Sequence, residues 1–164
     1  MTSPSGRERT RFVADAMLGS LARKLRALGF DTSYFRSGED SALLAEAARD
    51  GRIVLTADRR LPSLAGKKGV GCILVEGRGD GPRIRSIVRG ARASGVPLSR
   101  GDPLCSVCGG ALRTLTRGQV TGRVPPSVER RHRKFYECSV CGKTYWRGSH
   151  WKRLRSLARN LRGT

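Results

Sequence analysis

Short apolar runs alternate with amphipathic stretches through the first hundred residues. Phe12-Val13-Ala14 is the first run, and it ends at Asp15. Met17, Leu18, Leu21, Leu25 and Leu28 then recur at helical spacing, and Gly29 stops the helix. In that register Arg23, Lys24 and Arg26 face outward. Thr32 to Phe35 predicts a second strand. Asp40 or Ser41 caps a helix containing Leu43, Leu44, Ala47 and Ala48, which stops at Asp50-Gly51. Ile53-Val54-Leu55 predicts a third strand ending near Asp58, and Cys72 to Val75 a fourth ending at Glu76. Residues 83–93 read as a helix with Ile84, Ile87, Val88 and Ala91 on one side. Strands alternating with helices imply an α/β domain with a mainly parallel sheet and flanking helices. Parallel strands bring their carboxyl ends to one edge, where such sheets bind ligands. Asp15, Asp58 and Glu76 fall at that edge.

Residues 1–10 are polar and are expected to be disordered. Ser94 to Pro103 is rich in Gly, Pro and Ser, which places a boundary near residue 100. Residues 11–100 then form one domain and residues 101–164 a smaller module. In the module, Thr116 to Arg133 reads as a loop. Residues 149–162 read as a basic helix with Leu154, Leu157, Ala158 and Leu161 on its apolar face. No apolar run approaches the ~20 residues of a membrane span. The opening residues lack the apolar core of a secretory signal, so a cytoplasmic protein with no membrane contact is expected.

Charge narrows the partners. Lys and Arg total 33 against 13 Asp and Glu, a net charge of +20. Residues 101–164 hold 14 basic and 3 acidic residues, so the shorter part is the more basic. Such an excess self-repels unless a polyanion is near, and a nucleic acid is the expected partner. Arg131, Arg133 and Lys134 precede Phe135-Tyr136, and Arg147, His150, Trp151, Lys152 and Arg153 mix rings with charge. Phosphates take the charge and unstacked bases lie on rings. Phe135, Tyr145 and Trp146 are expected to pack the module's small core, leaving Trp151 as the exposed aromatic.

The cysteines sharpen the second module. Cys105-x-x-Cys108 and Cys138-x-x-Cys141 form two pairs, and Cys72 stands alone. A two-residue spacer lets both sulfurs of a pair reach one ion, and two pairs complete the tetrahedron that structural zinc favours. Gly109 and Gly142 follow the pairs and permit the tight turn that aims backbone N–H groups at sulfur. A zinc ribbon with one closed, structural zinc ion follows.

Acids at a sheet edge can hold Mg²⁺ or Mn²⁺ through oxygen ligands. Asp40 fits a helix N-cap as well as a ligand, and Asp58 a turn as well as a ligand. Arg23, Arg26 and Arg59 fit a solvated surface as well as a phosphate contact.

Three blocks carry a resemblance to a known family. The stretch from Phe12 to Asp31, with Asp15, Gly19, Arg23, Arg26 and Gly29, resembles the opening of the Mut-seven C-terminal RNase family. Arg52 to Arg59 resembles its second block, and Phe135 to His150 its third. These are PIN-like domains fused to a zinc ribbon. The resemblance implies a metal-dependent endoribonuclease in which Asp15, Asp40 and Asp58 hold one or two Mg²⁺ or Mn²⁺ ions. Hydrolysis of an RNA phosphodiester would leave a 5′-phosphate and a 3′-hydroxyl. Glu39 competes with Asp40 for its place, and Glu76 stands where a fourth acid would fall. Arg23, Arg26 and Arg59 would steer the RNA backbone. Ala57 departs from the pattern, which expects a basic residue there. Two other functions fit the same chain: a binding protein on the ribosome or another structured RNA with little or no nuclease activity, and a toxin-like nuclease of the broader PIN group.

Overall fold

The structure is a computed structural model that describes residues 9–159 and 161. Strand β1 (Arg11–Ala14) lies at the middle of a parallel sheet. It pairs with β2 (Asp31–Tyr34) on one side and β3 (Ile53–Thr56) on the other, and β4 (Cys72–Leu74) extends the sheet beyond β3. Helices α1 (Gly19–Ala27), α2 (Asp40–Arg49), α3 (Leu61–Lys67) and α4 (Asp80–Ala93) connect and flank the strands. Side chains alternate across the sheet, as strand geometry dictates. Phe12, Ala14 and Leu55 join Leu21, Leu25, Ile84 and Ile87 in one core. Val13 and Val54 join Leu43, Leu44, Leu61 and Ala65 in another, on the opposite face. Covering both faces is what lets parallel strands be so uniformly apolar.

Several local expectations change. The N-cap of α2 is Glu39, without a side-chain cap bond, and Asp40 is the first helical residue. Helix α3 was not anticipated: seven residues are too few to show a period, although Leu61 and Ala65 are buried one turn apart. Helix α4 begins at Asp80, ahead of the predicted start. Thr10 is ordered and buried. Its hydroxyl donates to Pro97 O at 2.9 Å and accepts from Ser99 N at 2.8 Å, so the chain near residue 98 clamps it. The rest of the predicted tail, residues 1–8, lies outside the described residues.

The second module is an antiparallel sheet, β5 (Leu112–Leu115), β6 (Phe135–Cys138) and β7 (Thr144–Trp146), with β6 central. The stretch expected to be a loop contains a 3-10 turn (Arg117–Gln119) and helix α5 (Pro126–Arg131), which starts on a proline. Val120 and Val124 from this stretch pack with Leu115 and Phe135 in a third small core. Apolar residues spaced without a regular period hid it in the sequence.

Helix α6 (Ser149–Arg159) returns to the first domain. Leu154, Leu157, Ala158 and Leu161 pack against the core that α1 and α4 share, as the amphipathic pattern predicts. Residues 160 and 162 of the predicted helix lie outside the described residues. At the end of α1, Gly29 has φ +96°, and a Cβ there would collide with Gly101 O. Gly101 N donates to Gly29 O at 3.0 Å, so the connector lies against α1. No helix among the described residues is long and apolar enough to cross a membrane.

Candidate active site and metal centre

Asp15 follows β1 at the carboxyl edge of the sheet and is buried to 8% exposure. Its backbone N–H donates to Leu55 O at 3.0 Å, which continues the β1–β3 ladder to the carboxylate itself. Oδ1 caps the 3-10 turn Ala16–Leu18 by accepting from Met17 N at 3.0 Å. Oδ2 accepts from the Thr56 hydroxyl and from Ala57 N at 3.3 Å. The carboxylate is therefore oriented by both neighbouring segments. Thr56 also accepts from Asp58 N at 2.9 Å, so one buried hydroxyl joins the two acidic positions. Sequence pattern alone assigns Thr56 no role; its place in the Arg52–Arg59 block, two residues before Asp58, is the signal that points to it.

The remaining acids are less constrained. Asp58 forms a turn in which Oδ1 accepts from Arg60 N at 2.8 Å. Leu74 is level with Thr56 in the sheet, so Glu76 lies near the level of Asp58. Its backbone N–H donates to Ser86 Oγ at 3.0 Å, and its carboxylate stands 3.7 Å from Arg59 and from Arg89. Asp40 is exposed at the start of α2, beside exposed Glu39. Asp15, Asp58 and Asp40 thus arise at the end of β1, the end of β3 and the end of the β2–α2 connection, in that order. Among the described residues they do not form a set with ligand atoms within 4.8 Å of one another; the four cysteines do.

Cys105, Cys108, Cys138 and Cys141 converge from two knuckles. Cys105 Sγ lies 3.6 Å from Cys141 Sγ, and Cys108 Sγ 3.4 Å from Cys138 Sγ. A zinc tetrahedron with bonds of about 2.3 Å has sulfur–sulfur edges near 3.8 Å, so the group can bind zinc and form a zinc ribbon after a small expansion. Gly109 and Gly142 have φ +81° and +71° and close the knuckles by donating to Cys105 O and Cys138 O at 2.8 and 3.0 Å. Val140 N and Cys141 N point at Cys138 Sγ from 3.4 and 3.5 Å. Burial raises the Cys105 thiol, but the Tyr145 hydroxyl and the N–H groups of Cys108 and Val107 outweigh it and bring it down to about 6. Tyr145 sits 3.0 Å from that sulfur, a role beyond the packing expected of it.

The basic residues fall into two kinds. Arg23, Arg59, Arg131, Arg133, Lys134, Lys152 and Arg153 are exposed. Arg147 is exposed but lies over two rings, 5.7 Å from the centre of Tyr136 and 5.3 Å from that of Trp151. Trp151 is half-buried, and Trp146 is the more exposed tryptophan, the reverse of the expectation. Helix α6 turns Trp151 toward the first domain, which sequence spacing could not show. The side chain of His150 lies outside the described residues. Arg26 is not on the surface as expected. It is buried, and burial lowers its pKa, opposed by the Cys108 and Cys105 thiols.

Residues 10–158 match the Mut7-C RNAse domain family. The chain is also 44% identical over 68 residues to the human exonuclease mut-7 homolog, a stretch covering 40% of this chain and 8% of that protein. No solved structure matches the chain.

Proposed function

This chain belongs to the Mut7-C RNAse domain family, and from that premise we propose a Mg²⁺- or Mn²⁺-dependent endoribonuclease acting at the carboxyl edge of the parallel sheet. The family implies RNA as the substrate. The observation that carries the reading is Asp15: a buried carboxylate at the end of the central strand, held by Met17, Thr56 and Ala57. A carboxylate offers about four lone-pair directions, so three accepted bonds leave one for a ligand. Asp58 and Asp40 present more exposed carboxylates from neighbouring segments, with Glu76 as a fourth. A divalent ion bound there would supply the charge that activates water and stabilises the leaving oxygen. Thr56 keeps Asp15 and Asp58 in register. Exposed Arg59 and Arg23 attract the phosphate backbone. Asp40 and Glu76 are exposed and Asp58 is partly so, so RNA can cross the edge without threading an end into it; that favours internal cleavage.

The exposed cations of the ribbon and α6 would hold the RNA, with zinc in a structural role. Circular RNA tests the reading. Wild type is expected to open it in Mg²⁺ or Mn²⁺, leaving a 5′-phosphate and a 3′-hydroxyl, and Asp15→Asn to leave it closed. Degradation of linear RNA alone would make the enzyme an exonuclease. Binding of structured RNA without cleavage in any divalent ion would favour the ribosome-type binding protein.

A further inference from the structure

Arg26 is the only lysine or arginine that is buried among the described residues. It occupies the last turn of α1, where a basic side chain is ordinarily solvated. Here its donors reach in two directions. Nε donates to Thr32 O in β2 at 2.7 Å. One terminal nitrogen donates to Val107 O at 2.7 Å and to Ser106 O at 3.3 Å, both between the first pair of cysteines. The backbone adds a third tie, because Leu104 N donates to Arg26 O at 2.9 Å. The side chain also covers Gly109, where a Cβ would stand 3.6 Å from its Nε.

A zinc ion with four thiolates carries two net negative charges. Cys105 and Cys138 are buried, and thiolate charge held out of water needs a cation or several N–H donors nearby; partners behind the ligands commonly set metal affinity. The carbonyls that Arg26 fixes belong to the knuckle whose N–H groups face Cys105. Its other end grips β2, the neighbour of the strand that delivers Asp15.

We propose that Arg26 is a positioning residue that couples the cysteine metal centre to the parallel-sheet domain, so that metal on the cysteines stabilises α1 and β2. The coupling is reciprocal: an ordered α1 presents the guanidinium that tightens metal binding. It stands whether or not the sheet edge cleaves RNA. A lysine cannot replace it, because one ammonium on a flexible stem cannot serve Thr32 and Val107 at once.

Amide hydrogen exchange on the full chain tests this, with zinc bound and after chelation. Zinc removal is expected to cut protection of residues 19–34 as well as the ribbon, and to leave residues 40–49 in α2 unchanged. Loss confined to the ribbon, or spread evenly through α2, would overturn the proposal. In parallel, zinc competition should show Arg26→Gln and Arg26→Lys binding zinc about 10- to 100-fold more weakly, with the lysine variant closer to wild type. Unchanged affinity in a folded Arg26→Gln would also overturn it. If the variants do not fold, the exchange experiment on wild type decides alone.

Discussion

The hydroxyl of Thr56 donates to the carboxylate of Asp15 across the β1–β3 pair, while its oxygen accepts the backbone N–H of Asp58. Thr56 is fully buried, so water cannot replace either bond. Thr56→Val keeps the shape and removes both. Stability should fall by about 1–3 kcal/mol, the usual cost of stranding buried polar groups. Cleavage should fall about 10- to 100-fold through kcat, since a supporting partner of the site is lost. Thr56→Ser should restore most of both. Urea unfolding and single-turnover cleavage would check this, and equal kcat in wild type and Thr56→Val would remove Thr56 from the site.

Asp15 and Glu76 are both edge acids, but they are held differently. Asp15 is buried and accepts three hydrogen bonds, whereas the Glu76 carboxylate is half exposed and 3.7 Å from its two arginines. Asp15→Asn should therefore abolish divalent-dependent cleavage with RNA affinity retained. Glu76→Gln should keep activity within about tenfold, since surface ion pairs at that distance contribute little. Measuring kcat/KM and RNA binding for both variants would show the ranking. Equal losses would give Glu76 full rank among the ligands.

The ease of reading each feature tracks how local its cause is. β1 and β3 were visible because both of their faces are apolar and their neighbours are turn residues. The cysteine centre was visible because a two-residue spacer is a local geometric condition. Helical spacing puts Arg26 on an outward face, yet it is buried because its partners Ser106 and Val107 lie about eighty positions later. Thr56 went unassigned because its partner Asp15 lies 41 residues earlier. Helix α3 is invisible to periodicity because seven residues give at most two turns of period. Long-range partners, not composition, decide such cases.

Cys72 stands apart from the metal centre. Burial and the nearby charge of Asp15 push its thiol up to about 11. An isolated thiol ionises near 8.5, so the stability linked to this shift is complete below that pH and is lost as pH rises toward 11. At pH 8 only about one molecule in a thousand should hold the thiolate, the reactive form. With zinc protecting the other four cysteines, iodoacetamide at pH 8 should leave Cys72 unmodified, and labelling should rise steeply above pH 10. Asp15→Asn removes one of the two causes and should bring the labelling onset to lower pH. Mass spectrometry of the alkylated chain reads each outcome, and rapid labelling of Cys72 at pH 8 would show that its burial does not suppress ionisation.

RNA binding by the second module should be an ionic-strength effect before it is a sequence effect. Arg131, Arg133 and Lys134 are exposed and lie close together at the entry to β6, and among the described residues no side-chain hydrogen bond ties them to the fold. Each phosphate neutralised on single-stranded RNA contributes a slope of about −0.7 to the logarithm of affinity against the logarithm of salt. Replacing the three by Gln should therefore flatten that slope by about 2. Zinc content should stay the same, because none of the three touches a knuckle. Arg147 is a different case, since its guanidinium already lies over Tyr136 and Trp151. Arg147→Gln should loosen the junction of β7 with α6 and change the salt slope by at most about one. A titration series in KCl separates the two behaviours. A slope unmoved by the triple replacement would mean that RNA runs along another face, and the cations of α6 would be the next to replace.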